Sequence, residues 1–325
     1  MSMDLKFAIE ASVFWPPADR VVASGYKEAV SADEIFPLVR KVEGVDGVEL
    51  YLPYDFEKPE EMLPVVRKHN LGVSAVGIGN FAAARFQRGG VTSDDPAIRK
   101  ESLELGVRAV KAAKALGAKV VVFWPAHDGY DYYFQTDYLR KHDLLMGAVK
   151  DLASVDPDIT IGIEYKPREP RTHQLVPNAS KALHLAEKSG CANVGVIMDI
   201  GHSILAVENP AEEAALLMRE KRLCHLHSND NYGDWDYDML PGSVHFWEQL
   251  ELFYTLMQYD YKGWINFDIC PFRESSLEAC TLSIKHTRKL IEIAGHLDPA
   301  VLAEAAKHDN ATASQKYLWE QVFGK

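Results

Sequence analysis

Eight short apolar runs, separated by longer segments, constrain this chain more than any other feature of it. They cover 6–11, 47–52, 72–77, 119–124, 159–164, 194–199, 222–227 and 264–268. Each is nearly continuously hydrophobic rather than alternating, as strands buried on both faces of a parallel sheet should be. Between the third and fourth runs, 101–116 sets Leu103, Val107 and Val110 on one face and Arg108, Lys111 and Lys114 away from it. That is helical periodicity, and Gly117 ends it. Eight strand-helix units predict an α/β chain folded as a (β/α)8 TIM barrel rather than an open doubly wound sheet. No Gly-rich phosphate fingerprint follows the first run, which agrees. The helices after strands one, six and seven are the least clearly marked.

The barrel is expected over 1–295, with a short C-terminal extension over 296–325. That extension carries Tyr317, Leu318, Trp319, Val322 and Phe323, too many large apolar groups for a free tail, so it should dock on the barrel or on a neighbouring subunit. A homo-oligomer, dimer or tetramer, follows as an expectation.

Charge narrows the function. A net charge of −12 disfavours a nucleic-acid binder, whose affinity rests on Lys and Arg, and no basic cluster suited to a sugar phosphate is evident. The opening Met1–Glu10 has no basic segment leading into a long apolar one, and no 18-residue apolar run occurs later. A cytoplasmic protein with no membrane partner is expected. Cys191, Cys224, Cys270 and Cys280 lack CxxC spacing and read as buried free thiols.

Four of the runs lead into metal-binding residue types. Glu164, Asp199, His227 and Asp268 stand at the C-terminal ends of strands five to eight; His202, Asp236 and Asp238 follow shortly after strands six and seven. Parallel barrels build their sites at that end. Carboxylates with a few imidazoles suit Mg2+, Mn2+ or Co2+ better than a thiolate zinc site. Asp199 can bridge two cations, because a carboxylate has two oxygens, and His202 lies three residues beyond it. Any one of these acids alone would read as a helix cap or a solvated loop charge. Seven arriving together weaken that reading. Asp230, Asp234, His225 and His245 are expected to lie behind the ligands or at the surface.

Longer motifs then resemble a known family. Glu164-Tyr-Lys-Pro-Arg-Glu-Pro-Arg171 is similar to the Glu-x-Lys-Pro-x-Glu-Pro-Arg segment of the xylose isomerases and their relatives, including the L-rhamnose isomerases. The likeness extends to 86–95, to 117–130, to Asp199-x-x-His202 and to Asp236-x-Asp238 before Gly242, covering roughly 45–275. Carried over, it implies two divalent cations, Mn2+ or Mg2+ with Co2+ as a further option. One would be held by Glu164, Asp199, His227 and Asp268, the other by Asp199, His202, Asp236 and Asp238. Asp234/Asp236 is an alternative pair in that loop. Lys166 would contact the carbonyl oxygen of a small-molecule sugar and act with Glu164 and Asp268 in catalysis, while Trp15, Phe86 and Trp124 would wall the pocket. Tyr51 stands near the family's ring-opening histidine, which puts xylose itself in question. The resemblance implies an aldose–ketose isomerase. Its nearest rival is a ketose 3-epimerase on the same barrel, using one metal and an acid–base pair. A metal-dependent endonuclease and a non-catalytic sugar binder are weaker alternatives, the first against the acidic balance and the second not needing Lys166.

Overall fold

A computed structural model describes residues 5–324. Met1–Asp4, part of the opening weighed above for a leader, and Lys325, the last residue of the extension, lie outside the described residues. Eight parallel strands close into a barrel: Lys6–Glu10, Gly47–Leu52, Gly72–Ile78, Val120–Phe123, Thr160–Glu164, Val194–Asp199, Leu223–His227 and Trp264–Phe267. Each pairs with its neighbours in sequence, and Ile9 opposite Phe267 closes the circle. All eight expected strands form, with ends shifted by at most one residue. Their apolar side chains are buried on both sides, Val121, Ile161 and Val196 completely.

The helices follow their capping chemistry. Pro96–Leu116 begins where the Asp95 side chain accepts from the Ala97 N–H and stops at Gly117, whose φ of 81° is a left-handed cap. The three weakly marked helices exist too. Ala32–Lys41 starts with a Ser31/Glu34 capping box, strand six runs into Ile200–Leu205 and then Pro210–Arg219, and strand seven is followed by Phe246–Gln258.

Two features were not expected. Gly129–Tyr130, Arg168–Glu169 and Thr172–Gln174 form a small antiparallel sheet in the loops after strands four and five, so the Lys166 motif folds as a hairpin beside the mouth. At the opposite end, Trp264 rests on two bare backbones. A Cβ on Gly47 or Gly72 would come within 2.9 or 3.0 Å of its indole, and Lys6 Nζ lies 5.3 Å from that ring.

The extension folds into Pro299–Lys307 and Ala311–Phe323 and docks on the barrel. Trp319 and Phe323 pack 6.4 and 6.2 Å from Trp247, and Tyr317 Oη accepts from the Asp298 N–H. All four cysteines are free. Among the described residues no helix is long and apolar enough to cross a membrane.

Candidate metal centre

The last residues of strands five, six and seven, and the first after strand eight, point into the same space. Glu164, Asp199, His227 and Asp268 bring one donor atom each to within 4.8 Å of one another. His227 Nδ1 lies 3.4 Å from Glu164, 3.8 Å from Asp268 and 4.0 Å from Asp199. The local chain explains why Asp199 points inward. Its side chain caps the short helix after strand six by accepting from the His202 N–H at 2.7 Å, and Asn229 Nδ2 donates to its other oxygen at 2.8 Å. Gly201 is required between them: a Cβ there would sit 2.2 Å from Asn229 Oδ1, which accepts from the Gly201 N–H.

His202 joins this cluster to the next. Its Nδ1 is 3.3 Å from Glu164 and 3.7 Å from Asp199, and its Nε2 is 3.1 Å from Asp236 Oδ2. Lys166 Nζ meets the same Asp236 oxygen at 2.6 Å and Glu169 at 2.5 Å, nearly out of solvent. A two-way backbone pairing of Asp230 with Met239 clamps the loop, so that Asp236 faces inward while Asp234 is exposed. Asp238 takes a φ of 47°, and its carbonyl accepts from the Cys270 N–H. Of the residues expected behind the ligands, Asp230 instead braces the loop through the Val244 and His245 N–H groups and the His245 ring.

Left to protein charges alone, the cluster is under strong tension. Burial works to raise Glu164, yet His227 and His202 overcome it and hold the carboxyl below its usual range. Burial raises Asp199 against the pull of His202, with Asp236 and Glu164 adding to the rise. Burial and neighbouring acids drive Asp238 and Asp268 well upward. The imidazoles rise too: despite burial, Asp199 and Asp236 lift His202 to about 9, and Glu49 and Glu164 lift His227 well above normal. Lys166 is raised, despite burial, by Asp236 and Glu169, and Asp236 is lowered by Lys166 and His202. Asp199, Asp238 and Asp268 are thereby favoured in their protonated forms, and the two histidines in theirs, because negative charge is in excess. His202 Nδ1, His227 Nδ1 and Asp236 Oδ1 are buried without a hydrogen-bond partner among the described residues. Hard oxygen donors plus orphaned imidazole nitrogens in a negative field fit a divalent cation.

Two acids here escaped the sequence reading. Glu10 ends strand one, accepts from Ser12 Oγ at 2.5 Å, hydrogen-bonds Asp268, and is pushed by burial and then Glu49 up to about 8. Glu49, in strand two, is completely buried against His225 and His227. Their only signal was a charge inside an apolar strand.

An aromatic row flanks the cluster. Trp15, Tyr54, Phe81 and Trp124 stand in sequence with ring centres 6.1, 5.5 and 5.4 Å apart. Lys166 Nζ lies 5.0 Å from the Trp124 ring, whose Nε1 donates to Gln174 in the motif's hairpin. Phe86 is placed differently, 1% exposed, with the Arg85 guanidinium over its ring. Phe81 holds the position in the row between Tyr54 and Trp124.

Comparison with known proteins agrees with this architecture. The chain is 29% identical over 259 residues to the xylose isomerase of Agrobacterium fabrum, covering 73% of this chain and 58% of that one. It is 28% identical over 273 residues to the xylose isomerase of Burkholderia orbicola, covering 80% and 61%. The chain therefore spans about three fifths of the length of these relatives. Among solved structures, a D-tagatose 3-epimerase-like protein superposes with a TM-score of 0.66 at 19% identity, covering 90% of this chain and 98% of that one. The 3-keto-D-glucoside 4-epimerase of E. coli superposes with a TM-score of 0.68 at 17% identity, covering 88% and 100%. These identities speak to the fold. The family model for the xylose isomerase-like TIM barrel matches residues 36–303, and this chain belongs to that family.

Proposed function

We propose that this protein is a divalent-metal-dependent sugar isomerase that interconverts an aldose and a ketose. The observation that carries the reading is His202, set between Glu164 and Asp199 on one side and Asp236 on the other, with Lys166 paired to Asp236. One cation would be held by Glu164, Asp199, His227 and Asp268, and a second by Asp199, His202, Asp236 and Asp238. Mn2+, Mg2+ or Co2+ at these donors would supply Lewis-acid stabilisation of the charge that develops on the sugar's O1 and O2.

The chain's own residues do the rest. The reaction moves hydrogen from C2 to C1 and a proton from O2 to O1, so a fixed positive donor at O1 favours the charged stage over the neutral sugar. Lys166 is that donor, its ammonium held out of water and aimed by Asp236, Glu169 and the face of Trp124. Trp15 and Trp124 cover the apolar face of the sugar and exclude solvent. The acidic chain and, among the described residues, the absence of any Lys or Arg but Lys166 in the paired contacts of the cluster favour a neutral sugar.

A second reading, a single-metal ketose 3-epimerase, draws on the compactness of the Glu164/Asp199/His227/Asp268 set and on the epimerase fold neighbours. In it, Glu164 and Asp268 would move protons on carbon directly, and Asp268 is the shorter partner of that pair. Asp238→Asn separates the two. The isomerase should bind two ions per chain in the wild type and about one in the mutant, with activity falling by several orders of magnitude. Retained C3 inversion within about tenfold of the wild type, identified by NMR of the products, would instead establish the epimerase.

A further inference from the structure

Strand two brings a carboxylate to the back of the cluster. Glu49 has no solvent exposure and meets two imidazoles of strand seven: His225 Nε2 at 2.9 Å and His227 Nε2 at 3.2 Å from one oxygen and 3.3 Å from the other. Residues 225 and 227 alternate along that strand by the two-residue period, so both rings project to the inside of the barrel, edge to face with centres 5.3 Å apart. An ionised carboxylate only accepts hydrogen bonds. Both Nε2 atoms facing it must therefore carry their protons.

For His227 this settles which nitrogen is left. With Nε2 donating to Glu49, the lone pair of the neutral ring is on Nδ1, the atom 3.4 Å from Glu164 and without a hydrogen-bond partner among the described residues. We propose that Glu49 is a positioning residue that selects the Nε2-protonated form of His227 and aims Nδ1 at the cation site, with His225 Nε2 holding the same Glu49 oxygen. Among the described residues Glu49 is the partner of His227 Nε2, on a fully buried ring. Glu49, His225 and His227 also bring donor atoms within 4.8 Å of one another; in the proposed role Glu49 acts through the ring and not on the sugar or the cation. The pairing reaches across the barrel, over a sequence separation of 178 residues, and ties the second strand to a centre otherwise built on strands five to eight.

The proposal rests on the reading of His227 as a cation ligand, and the test keeps the two apart. Dissociation constants for Mn2+ are measured by competition with a fluorescent chelator for the wild type, Glu49→Gln and His227→Asn. Glutamine keeps the volume but removes the charge and turns one carboxylate oxygen into an NH2 donor that can face His227 Nε2, so it no longer enforces the proton there. Glu49→Gln should weaken Mn2+ binding about 10–100-fold, the size found for partners behind metal-bound histidines. His227→Asn should weaken it further. Wild-type affinity in folded Glu49→Gln, with His227→Asn impaired, overturns the role of Glu49 and leaves the ligand reading standing. Wild-type affinity in His227→Asn overturns both. A second measurement does not depend on any variant folding: in the Mg2+-loaded wild type with 15N-labelled histidine, long-range N–H couplings should place the His227 proton on Nε2. A proton on Nδ1 would refute the proposal whatever the affinities are.

Discussion

Replacing Lys166 with methionine tests the cluster's charge balance as well as its chemistry. The Lys166 ammonium and the Asp236 carboxylate are 2.6 Å apart with side chains only 7% and 4% exposed. Removing one member of such a pair strands the other, at a cost of about 3–5 kcal/mol. At roughly 2.1 cal/mol/K of unfolding entropy per residue over 325 residues, this is a fall of about 4–7 °C in Tm. That should be the result in EDTA, where, among the described residues, His202 is the one cationic partner left to Asp236. With saturating Mn2+, a cation at the proposed second donor set would neutralise Asp236 and the penalty should shrink. Activity does not recover, because the donor to O1 is gone. The assay is differential scanning calorimetry of wild type and Lys166→Met with EDTA and with Mn2+, with ion content measured in parallel. An equal fall in Tm under both conditions would refute the argument that a cation and Lys166 share responsibility for Asp236.

Two further outcomes follow from the same geometry. Asp199 and Asp236 lift His202, despite its burial, from 6.5 to about 9; this contribution to the stability of the cation-free fold is complete below pH 6.5 and is lost as pH rises through about 9. Cation binding needs the neutral ring and so runs the opposite way, gaining up to about tenfold in affinity per pH unit across that window; isothermal titration in buffers of different ionisation enthalpy should find proton release below pH 9, and none would contradict it. Gly201→Ala should loosen Mn2+ about 10–100-fold by driving Asn229 off Asp199, whereas Gly147→Ala, where a Cβ meets nothing within 4 Å, should leave affinity unchanged; equal affinities in a chelator competition would remove Asn229 from the account.

The barrel was legible because strands covered on both faces must be apolar throughout, which makes them stand out as runs. The gathering of Glu164, Asp199, His227 and Asp268 was legible because each closes such a run at the end where barrel sites form. Glu49 was not legible. A glutamate in the middle of Gly47–Leu52 looks like a misplaced surface residue until the fold brings His225 and His227 to it across 176 and 178 residues. Glu10 needed Asp268, likewise far away in the chain. The hairpin at Arg168–Gln174 was hidden for a different reason: its strands are two and three residues long, too short for any periodicity. The place of Phe81 in the aromatic row depends on loop geometry, which local pattern does not encode.

The indole of Trp264, laid over the bare backbones of Gly47 and Gly72, packs the end of the barrel away from the donors. If the donors serve as proposed, a sugar comes and goes at the other end, past the motif's hairpin and the row from Trp15 to Trp124. An occupant there would block its successor, and the tempo of turnover would answer to how readily it clears as well as to events at the donors. Gln174, which tethers Trp124 to the hairpin, would then be a doorkeeper without approaching the chemistry.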